Sequence, residues 1–202
     1  METLFRRLTF TQIFRVSDYR CFPLVRKIEL VEYNPKWVEM YEEEAASVMS
    51  ALGNNAIRIH HIGSTAILGI CAKPIIDILV EAGRIESIDS KNEAMIELGY
   101  EPRGEFGIPG RRYFSKGSDE KRTHHVHIFQ VGDPQIEHHI NFRDYLIAHP
   151  DKAKEYCKLK KQLAARYPKD VGSYTDEKSE FISDIDKKAL EWVYNKKLVN
   201  LR

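Results

Sequence analysis

Apolar and polar residues alternate over Ile28-Glu29-Leu30-Val31-Glu32-Tyr33, and a period of two predicts a short strand. Asn34-Pro35 follows with the chemistry of a helix start: a side chain that accepts backbone N–H bonds, then a ring already fixed at a helical φ. Trp37, Met40, Tyr41, Ala45, Val48, Met49 and Leu52 then recur at helical spacing. Glu39, Glu42, Glu43 and Glu44 face out, and Gly53 ends the run. Ala56-Ile57-Arg58-Ile59-His60 reads as a second strand, closed by Gly63-Ser64. Pro74 introduces a third, Ile75-Ile76-Asp77-Ile78-Leu79-Val80, whose nearly unbroken apolar character marks a strand covered on both faces.

Beyond it the period changes again. About Ile85 to Leu98 predicts a helix that starts within Ser87–Ser90 and stops at Gly99. Tyr100–Arg103, Arg112–Ser115 and His124–Gln130 predict strands, joined by a Gly104/Gly107/Pro109/Gly110 loop and a Gly117-Ser118-Asp119 turn. From Pro134 onward the pattern is helical, over about 135–147, 151–166 and 175–197, with breaks at Pro150 and Tyr167-Pro168. The expected architecture is an α+β domain: a mixed sheet with helices, then a helical C-terminal third.

Composition narrows the class without naming a chemistry. The chain has 202 residues, 43% of them hydrophobic and 30% charged, enough for a real core and against global disorder. A net charge of +1 excludes coating nucleic acid by bulk electrostatics and leaves room for a local basic groove. Cys21, Cys71 and Cys157 are far apart and lack CxxC spacing, so neither a disulfide scaffold nor a cysteine zinc site is expected. The first 24 residues carry four Arg and two acids and are too interrupted by charge for a secretory signal. An N-terminal extension over 1–25, before one domain over 26–200, is preferred to an organellar transit peptide. No apolar run reaches membrane-spanning length, and unpaired cysteines make a reducing cytoplasm the expected location.

Seven of the eight histidines fall in three clusters: His60-His61, His124-His125-x-His127 and His138-His139. The stretch richest in chemistry begins at the first of these. His60-His61-Ile62-Gly63-Ser64-Thr65-Ala66 leads from a strand into Gly-Ser, and Lys73-Pro74-Ile75-Ile76-Asp77 opens the next strand. Glycine permits close backbone approach to a ligand, and the following N–H groups with the Ser64 hydroxyl suit phosphate oxygens. Asp77 is a lone carboxylate among apolar residues, which calls for a cation or a metal beside it.

Gly63-Ser64 followed by Asp77 resembles the Gly-Ser…acid signature of the nucleotidyltransferase superfamily, and the fuller set of motifs resembles the GrpB family. The matching residues run from Ile28–Trp37 through His61–Ala66 and Lys73–Asp77. They continue with His124-His125-Val126-His127-Ile128-Phe129, Phe142-Arg143-Asp144-Tyr145-Leu146 and Lys178-x-Glu180-Phe181-Ile182. The resemblance implies a nucleotidyltransferase-like fold and metal-dependent transfer of a nucleotide from a nucleoside triphosphate. In that family the domain also occurs fused to dephospho-CoA kinase. The implied cofactor is a divalent metal, Mg²⁺ or Mn²⁺, with a transition metal as an open alternative.

The acid set departs from the superfamily pattern. Two acids at alternate positions, plus a third on a neighbouring strand, would grip the same metals. Here Ile75 and Leu79 flank Asp77 on its own face, and Glu81 lies roughly 13 Å along the strand. His125 and His127 share a face where the third acid is expected. Two imidazoles and a carboxylate suit a transition metal better than Mg²⁺; phosphate contact or a direct hydrogen bond to Asp77 are the alternatives.

Asp77, His125 and His127 are therefore the expected catalytic residues, with Asp77 and His127 as metal ligands. Gly63, Ser64, Lys73, His61 and Arg112 are the expected phosphate contacts. His60 is expected to be structural and His138-His139 to lie at the surface. Arg143-Asp144 would brace the site or form a structural ion pair. From Arg103 to Arg122 six basic residues face three acids, which suits a triphosphate or an RNA end. Residues 151–169 hold seven basic and two acidic side chains, read as a solvated helix face with an RNA or acidic-partner surface as the alternative. The expected ligand is a nucleoside triphosphate or related phosphate compound. The competing expectation is a non-catalytic module that binds a nucleotide or CoA-like ligand, or assists a protein partner.

Overall fold

The computed structural model describes residues 27–118 and 120–199. Its elements, in chain order, are α1 (Lys36–Leu52), β1 (Ala56–Ile62), β2 (Ile76–Ala82), α2 (Asn92–Glu97), β3 (Tyr100–Pro102), β4 (Arg112–Gly117) and β5 (Arg122–Gln130), then α3 (Pro134–Ala148), α4 (Pro150–Arg166), α5 (Val171–Asp176) and α6 (Ser179–Val199). The expected α+β class with a helical C-terminal third is what the chain adopts. Three expected elements differ. Ile28–Tyr33 is not a strand: it pairs only through the bridge Val31↔Ala72, and Ile28 is buried beside Leu163 and Tyr174 instead. The helix expected over about 85–98 is a 3-10 turn, Ile85–Lys91, running into the short α2. The last helix is two, because Asp170 caps α5 by accepting from the Ser173 N–H, and α5 stops before α6 begins. Residues 1–25, expected as an extension, lie outside the described residues.

The sheet has the order β1-β2-β5-β4-β3. Only β2 and β5 run parallel; every other neighbour is antiparallel. Parallel neighbours at the centre explain the continuous apolar run of β2, since both of its faces are covered. One face presents Ile76, Ile78, Val80, Phe114, Val126 and Ile128 to Trp37, Val48 and Leu52 of α1 and Met95 of α2. The other presents Ile62, Leu79 and Phe129 to Ile136 and Ile140 of α3, and between these apolar contacts lie the polar residues of the site.

The helical third packs on itself and on the loop after β1. Ile67 and Ile70 join Tyr145 and Leu146 of α3, Ala153 and Tyr156 of α4, and Ile185 and Ala189 of α6 in a second core. Cys71 in that loop is bonded to Cys157 of α4, across 86 residues of sequence. This overturns the expectation of unpaired cysteines: wide spacing conceals a pair that the fold makes adjacent. Among the described residues no helix is long and apolar enough to cross a membrane.

Candidate functional site

The site begins where β1 ends. Gly63 has φ 70°, and a Cβ built there would lie 2.5 Å from Asp77 Oδ2, so both the backbone conformation and the neighbouring carboxylate require glycine. Ser64 follows at the start of a single 3-10 turn, Ser64–Ala66. Antiparallel pairing of Ile62 with Asp77 and parallel pairing of Asp77 with His125 bring the loop, the acid and the histidine strand together.

His125 Nδ1 lies 2.9 Å from Asp77 Oδ1, and His127 Nε2 lies 4.0 Å from the same oxygen. Burial pushes the Asp77 carboxyl up, but the His125 hydrogen bond and the charges of His125, His127 and Lys73 outweigh it and hold the pKa below the usual value. Burial takes His127 well below the usual histidine value, and the neighbouring His139 adds to this. One ligand atom from each of Asp77, His125 and His127 falls within 4.8 Å of the others. That spacing and N₂O donor set fit a divalent transition metal.

Arg111 was not among the expected contacts, yet it belongs to the site. Its guanidinium is held by the carbonyls of Glu105 and Phe106 (3.1 and 2.6 Å), rests over the Tyr113 ring and places Nη1 3.4 Å from His127 Nδ1. Arginine only donates, so His127 Nδ1 accepts here and the ring proton sits on Nε2. For Nε2 to ligate a cation that proton must move to Nδ1, and Arg111 must turn away. Its signal in the sequence was its place beside Arg112 after the glycine-rich loop.

Arg112 itself is a correction. It pairs with Ile128 on the α1 face of the sheet, and its Nε and Nη2 donate to the two Asp89 carboxylate oxygens at 2.6 and 2.9 Å. Alternation at the start of β4 sends neighbouring arginines to opposite faces, and the structure brings Arg111, not Arg112, to His127. His61 also points to the α1 side, opposite Ile78: it stacks on Tyr41 at 4.6 Å and bonds the Thr65 hydroxyl at 3.0 Å. Burial lowers its pKa to about 4, which keeps it neutral and a poor phosphate partner. His60 is structural, bonded with Arg58 to Glu81, so Glu81 is engaged away from Asp77.

His138 and His139, expected at the surface, are half-buried and face inward. The His139 ring lies 5.6 Å from that of His127, and His138 Nδ1 lies 3.7 Å from Asp186 of α6. Arg143 braces the loop as well as pairing with Asp144, since its Nη1 donates to the His61 carbonyl at 2.8 Å. Lys73 sits close enough to Asp77 for its charge to be felt, with its ammonium 5.6 Å from the Tyr174 ring centre.

Two further lysines reach the loop from the helical third. Lys160 is only 3% exposed, which sets it apart from the solvated face expected for α4. It donates to Ser64 Oγ at 2.9 Å and to the Cys71 carbonyl. Lys178, between α5 and α6, lies 4.4 Å from the Tyr174 ring and senses both Asp77 and Lys73. Composition disguised Lys160 inside a basic run; Lys178 stood in view as the first residue of the last GrpB-like motif.

The model for the GrpB protein family matches residues 27–188. The UPF0157 protein YqkA of Bacillus subtilis is 49% identical over 88% of this chain, and the chain spans about half (51%) of that relative's length. The glutamate-rich protein GrpB of Alkalihalophilus pseudofirmus is 38% identical over 79% of this chain and 94% of its own. The crystal structure of conserved protein GrpB from Enterococcus faecalis superimposes with a TM-score of 0.79 at 45% identity, covering 82% of this chain and 99% of that one. A dephospho-CoA kinase of Mycolicibacterium paratuberculosis is 26% identical over 82% of this chain and 46% of its own length.

Proposed function

The chain belongs to the GrpB family, and from that premise we propose that it binds a nucleoside triphosphate beside Gly63-Ser64 and transfers the nucleotidyl group, with a divalent metal, to a hydroxyl of a small molecule or an RNA end. The observation that carries this reading is the convergence of Asp77, His125 and His127 within 4.8 Å, against a glycine that leaves room only for the Asp77 carboxylate. A bound metal would supply charge stabilisation at the α-phosphate. Asp77 and His127, with His125, would hold it, their donor set favouring Mn²⁺ or a heavier transition ion over Mg²⁺.

The protein's own residues supply orientation and charge. Ser64 offers its hydroxyl to a phosphate oxygen, and Arg111, once released from His127, offers a fixed fork of donors to the same group. In the transfer, the acceptor hydroxyl gives up its proton to solvent as its oxygen bonds the α-phosphorus, and the α–β anhydride bond breaks to release pyrophosphate. Thermal shift with nucleoside triphosphates and a metal panel, on the native chain and Asp77→Ala, tests binding. Label transfer from α-labelled nucleotides then tests turnover. Metal-dependent stabilisation lost in Asp77→Ala, together with label transfer, is expected; no shift with any nucleotide would sink the reading.

A second reading, non-catalytic binding of a nucleotide or CoA-like ligand, is favoured by one observation. Asp77 is the sole carboxylate among the three clustered ligands, where metal-dependent transfer usually employs several. Stabilisation without turnover would select it.

A further inference from the structure

The charges around Ser64 are unbalanced in one direction. Lys160 is buried with its ammonium on two oxygens that carry no charge, the Ser64 hydroxyl and the Cys71 carbonyl. Lys178 is half-buried with its ammonium 4.4 Å from the centre of the Tyr174 ring, and the Lys73 ammonium lies 5.6 Å from the same centre. Among the described residues, no carboxylate lies within ion-pair distance of Lys160 or Lys178. The groups that face them are Ser64, Tyr156 and Tyr174, the other lysines of the cluster, and Asp77, which is engaged by His125. Lys160 and Lys178, close to each other and to a third lysine with no carboxylate of their own in reach, are costly to protonate, and a multivalent anion between them removes the cost.

We propose that Lys160 and Lys178, with Lys73, form a clamp for an anion of two or more linked phosphates, seated on Ser64 and able to bind without a metal. This rests on the nucleotide-binding reading and deepens it: the ligand class is a phosphoanhydride, held by its phosphates from the helical side while Asp77 and the histidines face it from the sheet. A single phosphate places its charge at one centre, whereas Lys160 and Lys178 reach Ser64 and Tyr174 from two separate segments. A diphosphate or longer chain bridges them, because successive phosphates place charge at successive positions. Lys160 comes from α4 and Lys178 from the α5–α6 junction, so the anion also ties the helical third to the β1–β2 loop.

The cluster leaves a mark beyond affinity. Burial, with the charges of the neighbouring lysines, lowers both Lys160 and Lys178 to about 7. Near pH 8 both are therefore largely neutral, and a bound polyanion raises their pKa values and draws protons from solution.

The test is calorimetric titration of the full chain with inorganic pyrophosphate and tripolyphosphate in EDTA at pH 8, in two buffers of different ionisation enthalpy. Binding is expected with net proton uptake, less than the two lysines gain by whatever proton the anion itself supplies, and orthophosphate is expected to bind at least tenfold more weakly. Lys178→Met and Lys160→Met are each expected to weaken binding tenfold or more and to remove about one proton of uptake. Lys160→Arg keeps the charge but does not titrate, so it should retain binding and still lose its share of the uptake. That split keeps the proposal testable if Lys160→Met does not fold. Absence of pyrophosphate binding, or binding with no proton uptake and no response to Lys178→Met, overturns the clamp. Because metal is excluded, a failed transfer reading with intact pyrophosphate uptake is distinguishable from a failed clamp with intact metal-dependent nucleotide binding.

Discussion

Replacing Asp186 with asparagine should make the protein more stable at neutral and alkaline pH. Among the described residues, both carboxylate oxygens of Asp186 are buried without a hydrogen-bond partner, and His138 Nδ1 lies 3.7 Å away. Burial pushes the carboxyl up to about 7. A carboxyl whose pKa is raised by folding favours the fold only while protonated. The penalty is absent below the unfolded pKa of about 4, grows between about 4 and 7, and is complete above that. About three pKa units correspond to roughly 4 kcal/mol, and screening at a partly accessible site reduces this to about 2 kcal/mol. Asparagine has nearly the same shape and no charge, so Asp186→Asn should gain about 2 kcal/mol at pH 8, or roughly 4–8 °C in Tm, and nearly nothing at pH 4. Urea unfolding of both proteins at the two pH values measures this. A variant equally or less stable at pH 8 would refute the reasoning and show that the carboxylate is compensated in solution.

Gly63→Ala forces a positive φ on a residue with a Cβ and drives that Cβ onto Asp77 Oδ2. The backbone alone should cost about 1–2 kcal/mol, and displacement of the carboxylate should weaken Mn²⁺ or Zn²⁺ binding, read by denaturant unfolding and metal titration. Reducing the Cys71–Cys157 bond, or Cys157→Ser, should lower stability by up to about 4–5 kcal/mol on the loop-entropy model. Calorimetry with and without a thiol reductant checks this; an unchanged Tm would mean that the cysteines are reduced in the native protein.

Much of the frame was legible because it is local. The periodicity of Trp37 to Leu52 gave α1, the apolar run around Asp77 gave the interior strand β2, and alternation placed His125 and His127 on one face. The misses in the site share a cause: each depends on a partner distant in sequence. Arg111 and Arg112 are indistinguishable as neighbours until pairing with β5 fixes which one faces His127. Lys160 looks like any lysine in a basic helix until α4 packs across the β1–β2 loop, 96 residues away from Ser64. His138 and His139 looked like surface because their helix is polar, but α6 reaches His138 and β5 faces His139.

The parallel seam between β2 and β5 has a consequence for how the molecule folds. Asp77 and His125 are 48 residues apart, and parallel neighbours cannot be joined by a tight turn, so α2, β3 and β4 all intervene. The helices can form from nearby residues, but the carboxylate and imidazoles meet only when the centre of the sheet closes, among the slower, high-contact-order steps. In the unfolded chain they are scattered and have no shared cation site. An ion at Asp77 would therefore report a completed fold, and its binding energy would be added to global unfolding, not to the opening of any one segment.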